Sequence, residues 1–164
     1  MGNGYGRPQR SEAQVPPIDK PAPFARNARA GERLRFGEVE VLIRASGDTT
    51  GGAFMLMEEH EPVDTPLHMH AHEDELFYGL EGKHVIQVGD EEHRIGPGDF
   101  VFAPRGIPHA QRRVVPRTGS VLIVVSPANL EGFFRELAAA DRAGELGPNA
   151  YARASQRYGI TWLS

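Results

Sequence analysis

Short apolar runs separated by turn residues dominate the chain from Arg33 onward, and their composition is typical of β-strands. We predict strands over residues 38–43, 53–59, 68–70, 75–81, 83–88, 92–95, 100–103, 109–115 and 120–125. Turns rich in Gly, Pro, Ser and Asp divide these runs, most clearly at residues 46–48, 89–90 and 96–99. Because the strands are short and closely spaced, with no helical pattern between them, they predict an all-β fold, an antiparallel sandwich or barrel.

The hydrophobic pattern takes a helical period after the last predicted strand. Ser126 is predicted to cap this helix, Pro127 suits its first turn, and Gly144 ends it. Apolar residues recur along it at spacings of three and four positions, which places them on one face. They are Leu130, Phe133, Phe134, Leu137 and Ala138. The simplest interpretation is that this face packs on the barrel; closing a pocket mouth or contacting a second subunit are the alternatives.

A second short helix is predicted from Tyr151 to the residue before Gly159. Ile160, Trp162 and Leu163 then follow as apolar residues that dock on the barrel. We interpret Trp162 as a packing anchor rather than as a platform for a substrate.

The first part of the chain has a different composition, rich in Gly, Pro and Arg. Its prolines interrupt any periodicity, and such a segment buries too little apolar surface to offset its ordering entropy. We therefore predict a flexible N-terminal arm over residues 1–32, a barrel over residues 33–127 and a helical segment over residues 128–164.

Size and charge limit the possible functions. The chain has 164 residues, which suits a single core, and its net charge of -4 without a large basic block argues against nucleic acid or an anionic membrane as a partner. No apolar run approaches a membrane span, and residues 1–6 lack the hydrophobic region of a signal peptide, so we expect a cytoplasmic protein. Nucleotide-binding glycine motifs and the Gly-x-Ser-x-Gly motif of serine hydrolases are absent from the sequence.

His68 and His70 are the first candidates for metal ligands. Side chains at positions i and i+2 of a strand point to the same face, so both imidazoles can reach one ion. Glu75 begins the next strand, and His109 follows a Pro-x-Gly turn. Without cysteine, the site would use nitrogen and oxygen ligands, which suit one divalent Fe, Mn, Ni, Co, Cu or Zn ion. His72 is a substitute for His68, although it would lie too close in sequence to Glu75.

Simpler interpretations exist for these residues. His-x-His also occurs on solvated strands, and carboxylate runs such as residues 73–75 are usually exposed. His60, His84 and His93 are interpreted as surface or turn residues. Glu58 and Glu59 could accept a hydrogen bond from a ligand imidazole, but a solvated strand end is the preferred interpretation.

The period of two extends the inward face beyond the ligands. If Glu75 points inward, Phe77 does as well, and if His109 points inward, Gln111 and Arg113 follow it. Phe77, Gln111 and Arg113 are therefore the candidate residues of a substrate pocket. Over residues 53–59 the pattern leaves open whether the Phe54 side or the Met55 side of the strand faces the barrel.

Two spaced motifs resemble those of the cupin superfamily. The first is carried by His68, His70, Glu75 and Gly82, with one, four and six residues between them. The second is carried by Gly98, Pro104, Gly106 and His109, with five, one and two residues between them. The final position of the second motif, usually Asn and not a metal ligand in the family, is Arg113 here. The resemblance extends over roughly residues 33–127.

This resemblance implies a jelly-roll barrel with one divalent metal ion per chain, held by His68, His70, Glu75 and His109. The chain is similar to small bacterial quercetinase-like cupins, which implies a dioxygenase for a hydroxylated aromatic or enol, flavonol-like substrate. Glu75 would then act as the general base. A non-redox isomerase, epimerase or cyclase and a non-catalytic binding cupin are the alternatives. The family also implies a homodimer, to which the N-terminal arm could contribute by crossing to the partner.

Overall fold

Two antiparallel sheets form the framework of the protein, as the short strands predict. The structure, a computed structural model, describes residues 21–112, 114 and 119–163. Its strands are β1 (Glu32–Phe36), β2 (Val39–Ala45), β3 (Met55–His60), β4 (His68–His70), β5 (Asp74–Gly82), β6 (His84–Val88), β7 (Glu91–Ile95), β8 (Phe100–Ala103), β9 (His109–Arg112), β10 (Gly119–Ser126) and β11 (Ile160–Trp162). One sheet has the order β1-β2-β3-β10-β5-β8, and the other has the order β11-β4-β9-β6-β7.

A row of apolar side chains across the larger sheet shows how the core is built. Its members are paired residues on five neighbouring strands, and all of them are buried. They are Ile43, Met57, Ile123, Phe77 and Val101. Because alternate residues of a strand share a face, this row decides the orientation that the sequence left open on β3, where the Met55 side faces inward.

Three helices complete the described fold: α1 (Gly47–Thr50), α2 (Glu131–Arg142) and α3 (Pro148–Tyr158). The apolar stripe of α2 is buried, and the helix contacts β1 and α3. The ring centroids of Phe134 and Phe36 lie 6.0 Å apart at this contact. The prediction that this stripe packs on the barrel is therefore confirmed.

The predicted start of α2 is wrong. Ser126 is the last residue of β10, pairs with Asp74 of β5, and lies before the position at which a residue could cap this helix. Its hydroxyl instead donates to the carbonyl oxygen of Ala53 at 2.9 Å. The helix begins at Glu131, after the N-cap residue Leu130.

Two short edge strands and one short helix depart from the predicted elements. β1 begins in the segment assigned to the arm, and β11 follows α3 directly and pairs with β4. The predicted turn at residues 46–48 is extended into the single turn of α1. Residues 1–20 of the predicted arm lie outside the described residues. The end of the arm contacts β2, where Arg44 donates to the carbonyl oxygens of Ala28 and Asn27.

No helix within the described part of the chain is both long and apolar enough to cross a membrane.

Candidate metal centre

Three histidines from two neighbouring strands converge on one point. His68 and His70 lie on β4, and His109 begins β9, where it pairs directly with His68. Ring centroids lie 4.6 Å apart for His68 and His109 and 5.2 Å apart for His70 and His109. One nitrogen from each ring lies within 4.8 Å of the others, which is a spacing that one metal ion can bridge.

Glu75 approaches this group from β5 in the opposite sheet. Its carboxylate oxygens lie 3.3 Å from Nε2 of His109 and 3.7 Å from Nε2 of His70. The carboxylate thus contacts two of the three imidazoles without joining the three-histidine group itself. His72, the substitute weighed from the sequence, is exposed and lies outside that group.

The second nitrogen of each histidine faces an acceptor. Nδ1 of His68 donates to the carbonyl oxygen of Pro66 at 2.8 Å, and Nδ1 of His109 donates to that of Ile107 at 2.9 Å. Nδ1 of His70 lies 3.7 Å from the carboxylate of Glu73. Because carbonyl oxygens only accept, these contacts keep the proton on Nδ1 and leave Nε2 as the potential ligand atom.

The donor set fits a metal ion. Nε2 of His70 and Nε2 of His109 are buried, and neither has a hydrogen-bond partner among the described residues. Unpartnered buried polar atoms are rare because they lose their hydration without compensation. A divalent cation between the imidazoles would give both nitrogens a partner, and the imidazole and carboxylate donors suit first-row transition metals.

Burial and charge shift the pKa values of the group in different directions. Burial lowers the pKa of His68 to about 4. Burial raises the pKa of Glu75, but the facing imidazoles of His109 and His70 outweigh this and bring the pKa to about 2. Burial lowers the pKa of His109, and the contact with Glu75 reverses the shift, so that this pKa lies above its usual value. At neutral pH the apo site therefore has a neutral His68 facing an ionised Glu75.

A cavity of about 160 Å³ lies against His68 and His70 of this group. Its lining is mostly apolar and includes Phe36, Met57, Phe77, Ile123, Phe133 and Phe134. Phe77 and Gln111, two of the three predicted pocket residues, line it together with His68, His70 and Glu75. Arg113, the third, lies outside the described residues. An apolar cavity with a few polar groups is typical of small-molecule sites.

Trp162 also lines this cavity, which the interpretation as a packing anchor does not capture. The pairing of β11 with β4 brings its ring within 5.1 Å of the His68 ring, while Nε1 donates to the hydroxyl of Ser155 at 2.7 Å. The hydrogen bond to Ser155 fixes one edge of the ring, and the residue is 36% exposed. Because β11 has only three residues, it is too short to show an alternating pattern from which this position of Trp162 could be predicted.

Three buried polar residues contradict their sequence interpretations. His84 is buried rather than superficial, and its Nε2 donates to the carbonyl oxygen of Glu81. Glu59 is buried rather than at a solvated strand end, and it accepts a hydrogen bond from Gln111. Glu73 is only 1% exposed and does not belong to an exposed carboxylate run.

The fold and the site together define a class, that of antiparallel β-barrels with a three-histidine centre at one end of an apolar cavity. Residues 53–125 match the family described as Cupin domain. The chain is a cupin, and it resembles the quercetinase-like members of that family.

One relative supports this resemblance in sequence. Over 121 residues the chain is 31% identical to the quercetin 2,3-dioxygenase of Bacillus subtilis (strain 168). The match covers 73% of this chain and 36% of that enzyme, so the chain spans little more than a third of its relative.

Solved structures share the fold. An RmlC-like cupin from Shewanella frigidimarina superposes with a TM-score of 0.54 and 18% identity, covering 68% of this chain and 96% of that one. A predicted oxalate decarboxylase from Thermotoga maritima superposes with a TM-score of 0.54 and 24% identity, covering 63% of this chain and 98% of that one. At these identities the likeness concerns the architecture alone.

Proposed function

We propose that the protein is a metal-dependent dioxygenase that acts on a hydroxylated aromatic or enol, flavonol-like small molecule. The observation that carries the proposal is the convergence of three imidazoles and the Glu75 carboxylate beside one apolar cavity. The likeness to a quercetin 2,3-dioxygenase supports this reaction class over the others that cupins perform.

In this proposal His68, His70 and His109 hold one divalent transition metal ion through Nε2, and Glu75 is the fourth protein ligand. A bound divalent ion supplies Lewis acidity, which lowers the pKa of a hydroxyl beside it. The hydrogen bonds of His68 to Pro66 and of His109 to Ile107 keep two of the three rings oriented for this role.

Glu75 is the proposed general base. Its low pKa means that the carboxylate is ionised throughout the neutral range, as a base must be. Its position between the imidazoles and the cavity lining allows one oxygen to accept the proton of a substrate hydroxyl. The resulting enolate is electron-rich, which is the property that a reaction with oxygen requires.

In this proposal the side chains that line the cavity orient the substrate. Phe77 and Phe133 present apolar surface to the flat faces of an aromatic substrate, and Trp162 lies beside His68 at the same cavity. Such a lining orients the substrate and excludes water from the proton transfer.

Oxygen uptake by protein loaded separately with iron, manganese, cobalt and nickel tests the proposal, with flavonols and simpler enediols as substrates. We expect uptake that requires both metal and substrate and that is lost in His70→Ala. Glu75→Gln should still bind metal through the three histidines but should turn over at least 100-fold more slowly, because general-base catalysis contributes about 10²–10⁴-fold.

Two results would contradict the proposal. A Glu75→Gln variant that binds metal and reacts at the wild-type rate would exclude Glu75 as the general base. Absence of uptake with every metal, in protein whose loading has been measured, favours the non-redox enzyme or the binding cupin instead; conversion of an enediol without oxygen then separates those two.

A further inference from the structure

The amide of Gln111 has a fixed orientation at the side of the cavity. Its side chain is 3% exposed, and Nε2 donates to the Glu59 carboxylate at 3.0 Å and to the carbonyl oxygen of Val63 at 3.3 Å. The Val63 carbonyl can only accept a hydrogen bond, so the amide nitrogen must face it, and the Glu59 carboxylate accepts from the same nitrogen. The opposite orientation would place the amide oxygen against two other oxygens.

This orientation determines what Gln111 offers to a ligand. Its Oε1 is buried, and it has no hydrogen-bond partner among the described residues. Because Gln111 lines the same cavity as His68 and His70, Oε1 is the atom that it leaves for a cavity ligand. A carbonyl oxygen only accepts, so the complementary ligand group is a hydrogen-bond donor.

The distance from the histidine centre follows from the strand. His109 and Gln111 are two positions apart on β9 and are both buried, so their side chains leave the same face at a separation of roughly 6–7 Å. The cavity surface near them is largely apolar. A ligand with one oxygen at the histidines can therefore reach Oε1 of Gln111 with a second polar group across a ring system.

We propose that Gln111, oriented by Glu59, forms a second polar subsite, which selects substrates carrying a hydroxyl or N–H donor across the ring system from the oxygen that binds at the histidines. Gln111 contacts the substrate in this proposal, whereas Glu59 is a positioning residue. The substrate class rests on the proposed function, but the requirement for a donor rests on the amide geometry alone. Ligands with a methyl ether in place of the donor are disfavoured, because they leave Oε1 unpaired and add bulk.

A binding titration without turnover tests this subsite. Trp162 is the one tryptophan of the chain and lines the cavity, so its fluorescence reports ligand binding. The probes are 3-hydroxyflavone, its analogues with one further hydroxyl at successive ring positions, and the matching methyl ethers. They are titrated into zinc-loaded protein in the absence of oxygen.

We expect one hydroxylated analogue to bind about tenfold more tightly than both 3-hydroxyflavone and its own methyl ether, as one additional hydrogen bond predicts. Gln111→Met, close in size but without the amide, should bind the three probes within about twofold of one another. Glu59→Gln should lower the preference between hydroxyl and methyl ether, because two facing amides no longer fix the orientation of Gln111. Gln87→Met on the neighbouring strand β6 is the control and should keep the preference.

The ligand series in the wild-type protein tests the subsite even if a variant fails to fold. Equal affinity of the wild-type protein for all members of the series, or no binding of any, overturns the proposal. Retention of the preference in folded Gln111→Met overturns it as well. If the protein prefers the hydroxylated ligand but takes up no oxygen, the proposed subsite stands and the proposed dioxygenase activity is excluded. If it takes up oxygen but shows no such preference, only the subsite is excluded.

Discussion

The carboxylate of Glu73 lies 3.7 Å from Nδ1 of His70, and both residues are only 1% exposed. Neither oxygen of Glu73 has a hydrogen-bond partner among the described residues. Burying a carboxylate is unfavourable unless a positive or donating group compensates for the lost water. The imidazole N–H of His70 is positioned to do so, and it becomes a stronger donor when Nε2 binds a cation.

We therefore predict that Glu73→Gln weakens metal binding by about 10–100-fold, the range found for acceptors that orient a ligand histidine. Competition with a chromophoric chelator, using zinc and cobalt, measures the affinity. Glu81→Gln, at an exposed carboxylate of β5, is the control and should bind as the wild type does. Unchanged affinity in a folded Glu73→Gln variant would show that the two buried groups are not coupled.

Metal removal should destabilise the protein. If the metal binds the folded chain alone, a free concentration of 100 times Kd adds about 2.7 kcal/mol to the free energy of unfolding. For a chain of this size that corresponds to roughly 5–11 °C in Tm. Thermal unfolding with and without a chelator measures the shift, and His70→Ala should show almost none. A wild-type Tm that does not depend on metal would contradict the assigned centre.

The fold could be predicted from the sequence wherever the strands are long enough to show their period. Met57, Phe77 and Ile123 alternate with less buried residues, so their strands and inward faces follow from local pattern. β11 has three residues, and its existence depends on pairing with β4, far away in sequence. No local pattern carries that information, which is why the position of Trp162 beside His68 could not be predicted.

The candidate site, like the fold, could be predicted only in part from the sequence. The spacing of His68 and His70 indicates a shared face, and the structure brings His109 and Glu75 to them. Glu73 and Glu59 could not be assigned, because charged residues are usually exposed and only tertiary contacts reveal the exceptions.

The stability of the protein should depend on pH through Asp74. Its carboxylate accepts hydrogen bonds from the backbone and guanidinium of Arg105, which lower its pKa to about 2. A carboxyl group with a lowered pKa in the folded state binds fewer protons there than in the unfolded state. Its contribution is therefore complete above its ordinary value of 3.8 and is lost as the pH falls towards 2.

Asp74→Asn should accordingly be less stable than the wild type at pH 6, and this difference in the free energy of unfolding should disappear as the pH falls from 3.8 to about 2. Urea unfolding of apo protein across the range measures it, with Asp90→Asn at an exposed turn position as the control. The contact joins β5 to the loop that precedes His109, so the variant should also bind metal more weakly at pH 6. A stability difference that is constant with pH would exclude the ion pair as its cause.

An apolar patch lies on the outer face of the larger sheet, where Tyr78 of β5 pairs with Phe100 of β8. Phe100, Phe102 and Tyr78 are 62%, 51% and 37% exposed. At about 200 Å² for a whole aromatic side chain, they expose roughly 300 Å² together. This is a substantial part of the roughly 800 Å² that each partner contributes to a stable interface.

We predict that the chain forms a homodimer, as the family resemblance implies, and that this patch is its interface. The outward positions of β5 and β8 between residues 76 and 80 and between residues 100 and 102 hold no charged side chain, so a two-fold axis would bring apolar surface against itself. The wild type should then sediment at twice the chain mass, and Phe100→Lys should be at least 100-fold more dissociated, because a lysine would be buried there. Thr161→Lys adds the same charge at an exposed position of β11 in the other sheet and should remain a dimer. A wild-type monomer, or an undiminished Phe100→Lys dimer, would exclude this face as the interface.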